Sequence, residues 1–114
     1  MPFTQTFPYS SKGDKEIFAN LVSAIKNKLE RNLKINLNEA IVMYSALVVS
    51  ELAENKPTEQ IQKNALRLLN PGRVMIGVPE TLRKMYFEIT LDGSTKSVTL
   101  DTPIAVSDDI LQSS

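Results

Sequence analysis

The sequence predicts an α+β fold, mostly helical, with three main helices, a short fourth and a C-terminal two-stranded antiparallel β-hairpin. One change of period and one turn carry that prediction. Apolar residues recur at helical spacing from Ile17 through Leu69. From Lys84 they alternate instead, and Asp92-Gly93, a preferred hairpin turn, separates the two alternating runs. At 114 residues, 42% of them apolar, the chain has the size of one domain. It divides into an extended N-terminal arm over 1–10, a single domain over 11–106 and a polar C-terminal tail over 107–114.

The arm carries Pro2 and Pro8 among scattered aromatics, a composition that disfavours a helix and leaves an extended segment available to a partner. Ser11-Lys12-Gly13-Asp14 has the form of a capping box and starts the first helix, which runs to about Asn32. On it Ile17, Phe18, Leu21, Val22, Ile25 and Leu29 share one face, and Lys15, Asn20, Lys26, Asn27 and Glu30 the other. Asn36 and Glu39 repeat the capping logic and open a second helix, to about Glu54. Apolar residues from Ala40 to Ala53 surround most of that helix, so it is central, covered by the other helices or by another chain.

Pro57 suits the first turn of a third helix, with Ile61, Ala65, Leu68 and Leu69 as its apolar stripe. Asn70 with Pro71 can start a short fourth, Gly77 can stop it in the left-handed conformation, and Val78-Pro79 then forces an extended turn. In the hairpin, Met85, Phe87, Ile89 and Leu91 form one face, which Val98 and Leu100 continue on the returning strand. A two-residue loop pairs Phe87 with Val98, whereas a four-residue loop pairs Ile89 with Val98. Both keep the same face buried, because the registers differ by an even number.

Composition excludes several chemistries. The chain has no histidine and no cysteine, so imidazole and thiolate metal sites, Ser-His-Asp and Cys-His catalysis and disulfides are all absent. Thirteen Lys and Arg balance thirteen Asp and Glu, leaving no net field for nucleic acid or an anionic membrane. The basic cluster Lys26, Lys28, Arg31 and Lys34 stands near the end of the first helix, where its dipole favours cations, and reads as a solvated face rather than a nucleic-acid site. Asp92, Asp101, Asp108 and Asp109 do not read as a metal site, because Asp92 is explained by its turn and the last two lie in the tail. Glu39 could act as a general base, but its place at a helix start makes it a cap.

No catalytic, cofactor-binding or metal-ligating residue is expected in this chain. The run Val74-Met75-Ile76-Gly77-Val78-Pro79-Glu80 has one carboxylate and reads as a fitting surface, not a chemical one. Val74, Met75, Ile76, Val78, Pro79 and Leu100 are the candidate subunit interface. Gly77-Val78-Pro79 is either a bend that any fold needs or a contact, and Ile76 either core or exposed contact. The N-terminus lacks a basic segment followed by an apolar core, and the run Ala40 to Val49 is half the ~20 residues needed to span a bilayer, so a soluble cytoplasmic chain is expected.

Leu33-Lys34-Ile35-Asn36, Glu39-Ala40 opening a buried helix, Val74 to Glu80, Asp92-Gly93-Ser94-Thr95-Lys96 and Thr102-Pro103-Ile104, taken in order, resemble the gamma subunit of microbial urease. The likeness is collinear from about Asp14 to Ile104. It implies a small α+β chain, without catalytic residues, that assembles with alpha and beta subunits into a trimer of heterotrimers. It also implies that nickel and the urea-hydrolysing groups belong to the alpha subunit. The chain is a divergent member by this likeness: Ile76 stands where a glutamate is usual, Asn70-Pro71-Gly72-Arg73 differs, and the arm replaces an immediate helix cap. A stand-alone interaction module that kept the fold but left the urease complex is the alternative; a small helical nucleic-acid binder is a weaker one.

Overall fold

A computed structural model describes residues 3–8, 12–91 and 93–106, with side chains placed from Glu16 onward. The Ser11 cap, Asp92 of the hairpin turn and the tail 107–114 lie outside the described residues. The order is β1 (Phe3–Pro8), α1 (Lys12–Glu30), α2 (Leu37–Ala53), α3 (Thr58–Leu68), a single 3-10 turn (Pro71–Arg73), α4 (Val78–Thr81), β2 (Lys84–Leu91) and β3 (Ser94–Asp101). Among the described residues no helix is long and apolar enough to cross a membrane.

Helix ends follow from local chemistry. At the start of α2 the Asn36 side chain accepts from the Glu39 N–H at 2.9 Å, and the Glu39 carboxylate accepts from the Asn36 N–H at 3.0 Å. This closes the expected capping box. Asn32 and Asn55 sit at φ 60 and φ 61, the left-handed cap conformation that asparagine tolerates. After α1 the Leu33 N–H donates to the Lys28 carbonyl and the Asn32 N–H to that of Leu29; after α2 the Lys56 and Asn55 N–H groups repeat the pattern on Glu51 and Leu52. Both are Schellman closures.

The Glu39 carboxylate also takes a 2.8 Å ion pair from Lys28 on α1. Desolvation raises its pKa, but the Asn36 N–H and the bond and charge of Lys28 together bring it below the ordinary value of 4.5. A depressed folded-state pKa contributes stability that is present above the unfolded value and is lost as pH falls through the folded one. Glu39→Gln keeps the cap geometry and removes the charge. Urea unfolding should therefore show wild type exceeding the variant by up to about 1 kcal/mol at neutral pH. The gap should close as the pH falls below 4.5; a gap independent of pH would rule out this account.

α2 is the centre of the molecule, packed against α1, α3, α4 and β2. Its Tyr44 is fully buried and its hydroxyl donates to the Pro103 carbonyl at 3.3 Å, tying the helix to the segment after β3. Burial pushes the Tyr44 pKa far up, so the group stays protonated and remains a donor. Tyr44→Phe leaves that carbonyl unpaired and should cost about 1–2 kcal/mol in chemical denaturation. A change within error would mean that another group satisfies Pro103. At the far end of α2, Glu51 is 6% exposed, accepts two bonds from the Asn64 side chain of α3 and pairs with Lys56 at 3.1 Å.

β2 and β3 pair antiparallel with Phe87 opposite Val98 and Leu91 opposite Ser94, the register of a two-residue loop. Met85, Phe87, Ile89, Val98 and Leu100 are all buried against the helices, while Lys84, Glu88 and Thr90 face out. The C-terminal hairpin is as expected, and a third strand joins it. Residues 3–8 run parallel to β2, with Phe3 in register with Met85 and Pro8 with Thr90, so the sheet order is β1-β2-β3.

Two expectations about local structure are corrected. The apolar stripe of α1 is only partly used: Ile25 is buried and Val22 and Leu29 pack on the core, but Ile17 is 69% and Leu21 45% exposed. Opposite this half of α1, α2 presents the small residues Ala46, Ser50 and Ala53, which leave an open groove of about 590 Å³ where a core would need large side chains. The second correction concerns the fourth helix, which begins after Gly77 instead of ending there. Val74 is held extended by a bridge to Ile35, so the Pro71 turn closes after three residues. Pro79, whose missing N–H costs nothing in a first turn, lies inside α4.

Candidate functional site

The segment Asn70 to Thr81 is built by short-range bonds into a fixed projection. The Asn70 side chain accepts from the Gly72 N–H at 2.9 Å and caps the 3-10 turn. The Ile35 N–H donates to the Arg73 carbonyl at 3.0 Å and the Met75 N–H to the Ile35 carbonyl at 2.9 Å, sewing the segment to the connection between α1 and α2. From Arg73, Nη2 donates to the Leu29 carbonyl at 2.6 Å, a cation placed at the C-terminal end of α1 where the helix dipole favours it. Gly77 lies at φ +93 with open space around it, so glycine is needed there for its backbone and not for room. The Thr81 hydroxyl and N–H both donate to the Gly77 carbonyl, at 2.8 and 3.1 Å.

This framework separates residues that look alike in sequence. Val74 (2% exposed), Val78 (4%) and Pro79 anchor the two ends in the core, and Ile76 (101%) projects fully into solvent with Met75 (46%) beside it. Leu100 is not part of this projection. It lies on β3 in register with Met85, on the buried face of the hairpin. Of the six candidate interface residues, Met75 and Ile76 are thus the two whose side chains a neighbouring chain can reach, and the other four hold this chain's own core.

A second apolar surface escaped the reading of the sequence. The groove between α1 and α2 is lined by Phe18, Val22, Val49 and Leu91, with Ile17 and Leu21 exposed on the same helix. The signal for it was the spacing of Ala46, Ser50 and Ala53 on α2, small residues on one helical face.

The sequence has no histidine or cysteine. Among the described residues no three Asp or Glu side chains converge. Glu39 is committed to its cap and to Lys28, and Glu51 to Asn64 and Lys56. The basic cluster is partly consumed as well, since Lys28 pairs with Glu39.

The family model described as "Urease, gamma subunit" matches residues 10–104, taking in every helix and both strands of the hairpin but not β1. A relative named urease subunit gamma, from Halalkalibacterium halodurans, is 34% identical over 79 residues, which cover 69% of this chain and 79% of that protein. The family model covers most of the chain and the relative is 34% identical over 69% of it, and the chain belongs to the urease gamma subunit family.

Proposed function

We propose that this chain is a non-catalytic structural subunit of a nickel-dependent urease, the complex that hydrolyses urea to ammonia and carbamate. The family match over residues 10–104 carries the reading, and the composition supports the division of labour. A chain with neither histidine nor cysteine lacks the ligands a nickel site draws on, so nickel and catalysis fall to an alpha subunit. The partners are alpha and beta subunits, the stoichiometry a trimer of heterotrimers and the compartment the cytoplasm. The contact surface centres on the projection from Val74 to Pro79, with Met75 and Ile76 outermost. Val74, Val78, Pro79 and Leu100 contribute to it by holding that projection and the hairpin in place.

Co-expression with urease alpha and beta chains tests the proposal. Size exclusion should give one large species that contains all three chains and hydrolyses urea. Migration of this chain alone as a monomer, with the alpha and beta chains active without it, would overturn the reading in favour of a free-standing interaction module.

A further inference from the structure

β3 is an outer strand of the sheet, and its free edge is bare. Just past the hairpin the Thr102 N–H donates to the Arg83 carbonyl, so the pairs alternating with that one, Met85 with Leu100, Phe87 with Val98 and Ile89 with Lys96, exchange the backbone bonds of the ladder. Thr95, Ser97 and Thr99 therefore turn their N–H and C=O groups away from β2. The Gln62 side chain of α3 marks that direction by donating to the Thr99 carbonyl at 2.9 Å. Among the described residues no hydrogen bond reaches the backbone of Thr95 or Ser97 on this edge, and both residues are exposed. Nothing between Ser94 and Thr99 guards it: the register runs one to one without a bulge, proline is absent, and the cation Lys96 is drawn to Asn55 of this same chain at 3.4 Å.

We propose that this edge pairs with the same edge of a second copy, β3 antiparallel to β3 about a two-fold axis at Ser97. The spacing of the strand selects a copy as the occupant. With Ser97 opposite Ser97, Thr95 falls opposite Thr99 and Thr99 opposite Thr95, so each outward-turned residue of one strand meets an outward-turned residue of the other and both can exchange N–H and C=O bonds. The Thr99 carbonyl has a second lone pair for this bond beside the one Gln62 takes. The side chains agree with the register. Thr meets Thr and Ser meets Ser on the face turned from the helices, Lys96 meets Val98 on the other, and no like charges stand opposite each other. α3 reaches β3 near Thr99 to Asp101, so its two copies stand at opposite ends of the joint and leave the axis clear. Reciprocal pairing closes the dimer, because it leaves neither β3 edge for a third chain. It requires no other subunit and is independent of the proposed urease assembly.

The chain has no cysteine, so single cysteines report the register directly. Bonded pairs of an antiparallel ladder stand about 5.5 Å apart between Cα atoms, inside disulfide reach, whereas Thr95 would lie about 13 Å from Thr95 of the other copy, outside it. Full-length Ser97→Cys, concentrated, oxidised and resolved without reductant, should run as a covalent homodimer. Thr95→Cys and Thr99→Cys should each stay monomeric alone and give a covalent heterodimer when mixed. In sedimentation equilibrium the wild type should show a reversible dimer. Ser97→Pro removes an N–H that the chain's own ladder does not use, so it should keep the wild-type far-ultraviolet spectrum and weaken the dimer by about tenfold or more. A wild type that stays monomeric at high concentration, or Thr95→Cys alone cross-linking as readily as Ser97→Cys, would overturn the proposal.

Discussion

Leu100→Asp will unfold this chain. Leu100 is 1% exposed, lies in register with Met85 on β2 and faces the helices beside Phe87 and Val98, all buried. A carboxylate there is set among apolar side chains of the hairpin's buried face, and taking a charge out of water at such a position costs more than a domain of this size can bear. With a total stability on the order of 5–15 kcal/mol, the variant should show no cooperative urea transition and a collapsed near-ultraviolet signal. Leu100→Ala removes packing alone and should keep a cooperative transition at a cost of about 2–5 kcal/mol. Wild-type stability in the aspartate variant would mean that the hairpin face is not core. Val78→Asp, 4% exposed at the start of α4, is expected to behave the same way, so loss of assembly in either variant reports folding and not an interface.

Ile76→Asp should do the opposite: fold normally and fail to assemble. The side chain is 101% exposed, so the chain's own core loses nothing and stability should stay within about 0.5 kcal/mol of wild type. Under the proposed function the residue is an apolar anchor on a backbone fixed by Gly77, Arg73 and the bridge between Ile35 and Val74, which removes most of the ordering cost of binding. Anchors of this kind cost about 2 kcal/mol or more when truncated, and a charge adds its desolvation. Co-expression with alpha and beta subunits should therefore yield folded Ile76→Asp chain outside the complex. Ile17→Asp, on the exposed half of α1, compares the second apolar surface in the same assay. Normal co-elution of the Ile76 variant would remove the projection from the interface.

The elements that could be read in the sequence are those whose causes lie within a few residues. Asn36 and Glu39 are three apart, so their capping box is visible in the chain, and the structure forms it. The change of period at Lys84 and the Asp92-Gly93 pair mark the hairpin for the same reason, because strand alternation and turn geometry are local. The hairpin register was open between two solutions that bury the same face, and pairing of Leu91 with Ser94 selects the shorter loop. The candidate interface was legible as a segment and not residue by residue. Val74, Ile76 and Val78 are alike in bulk and polarity, and their separate fates depend on where Ile35 and α2 stand.

By itself the sequence determined the α+β class, the central place of α2, the capped start of that helix, the hairpin and the lack of histidine and cysteine. Each follows from propensity, period or composition, which act over one or two turns of chain. Only the tertiary structure decided the rest. The pairing of β1 with β2 joins residues at opposite ends of the chain, and the bridge from Ile35 to Val74 ends one helix early and starts another late. The half-used stripe of α1 depends on small residues of a different helix. In each case the deciding partner is distant in sequence, and an apolar or extended segment carries no mark of which surface will meet it.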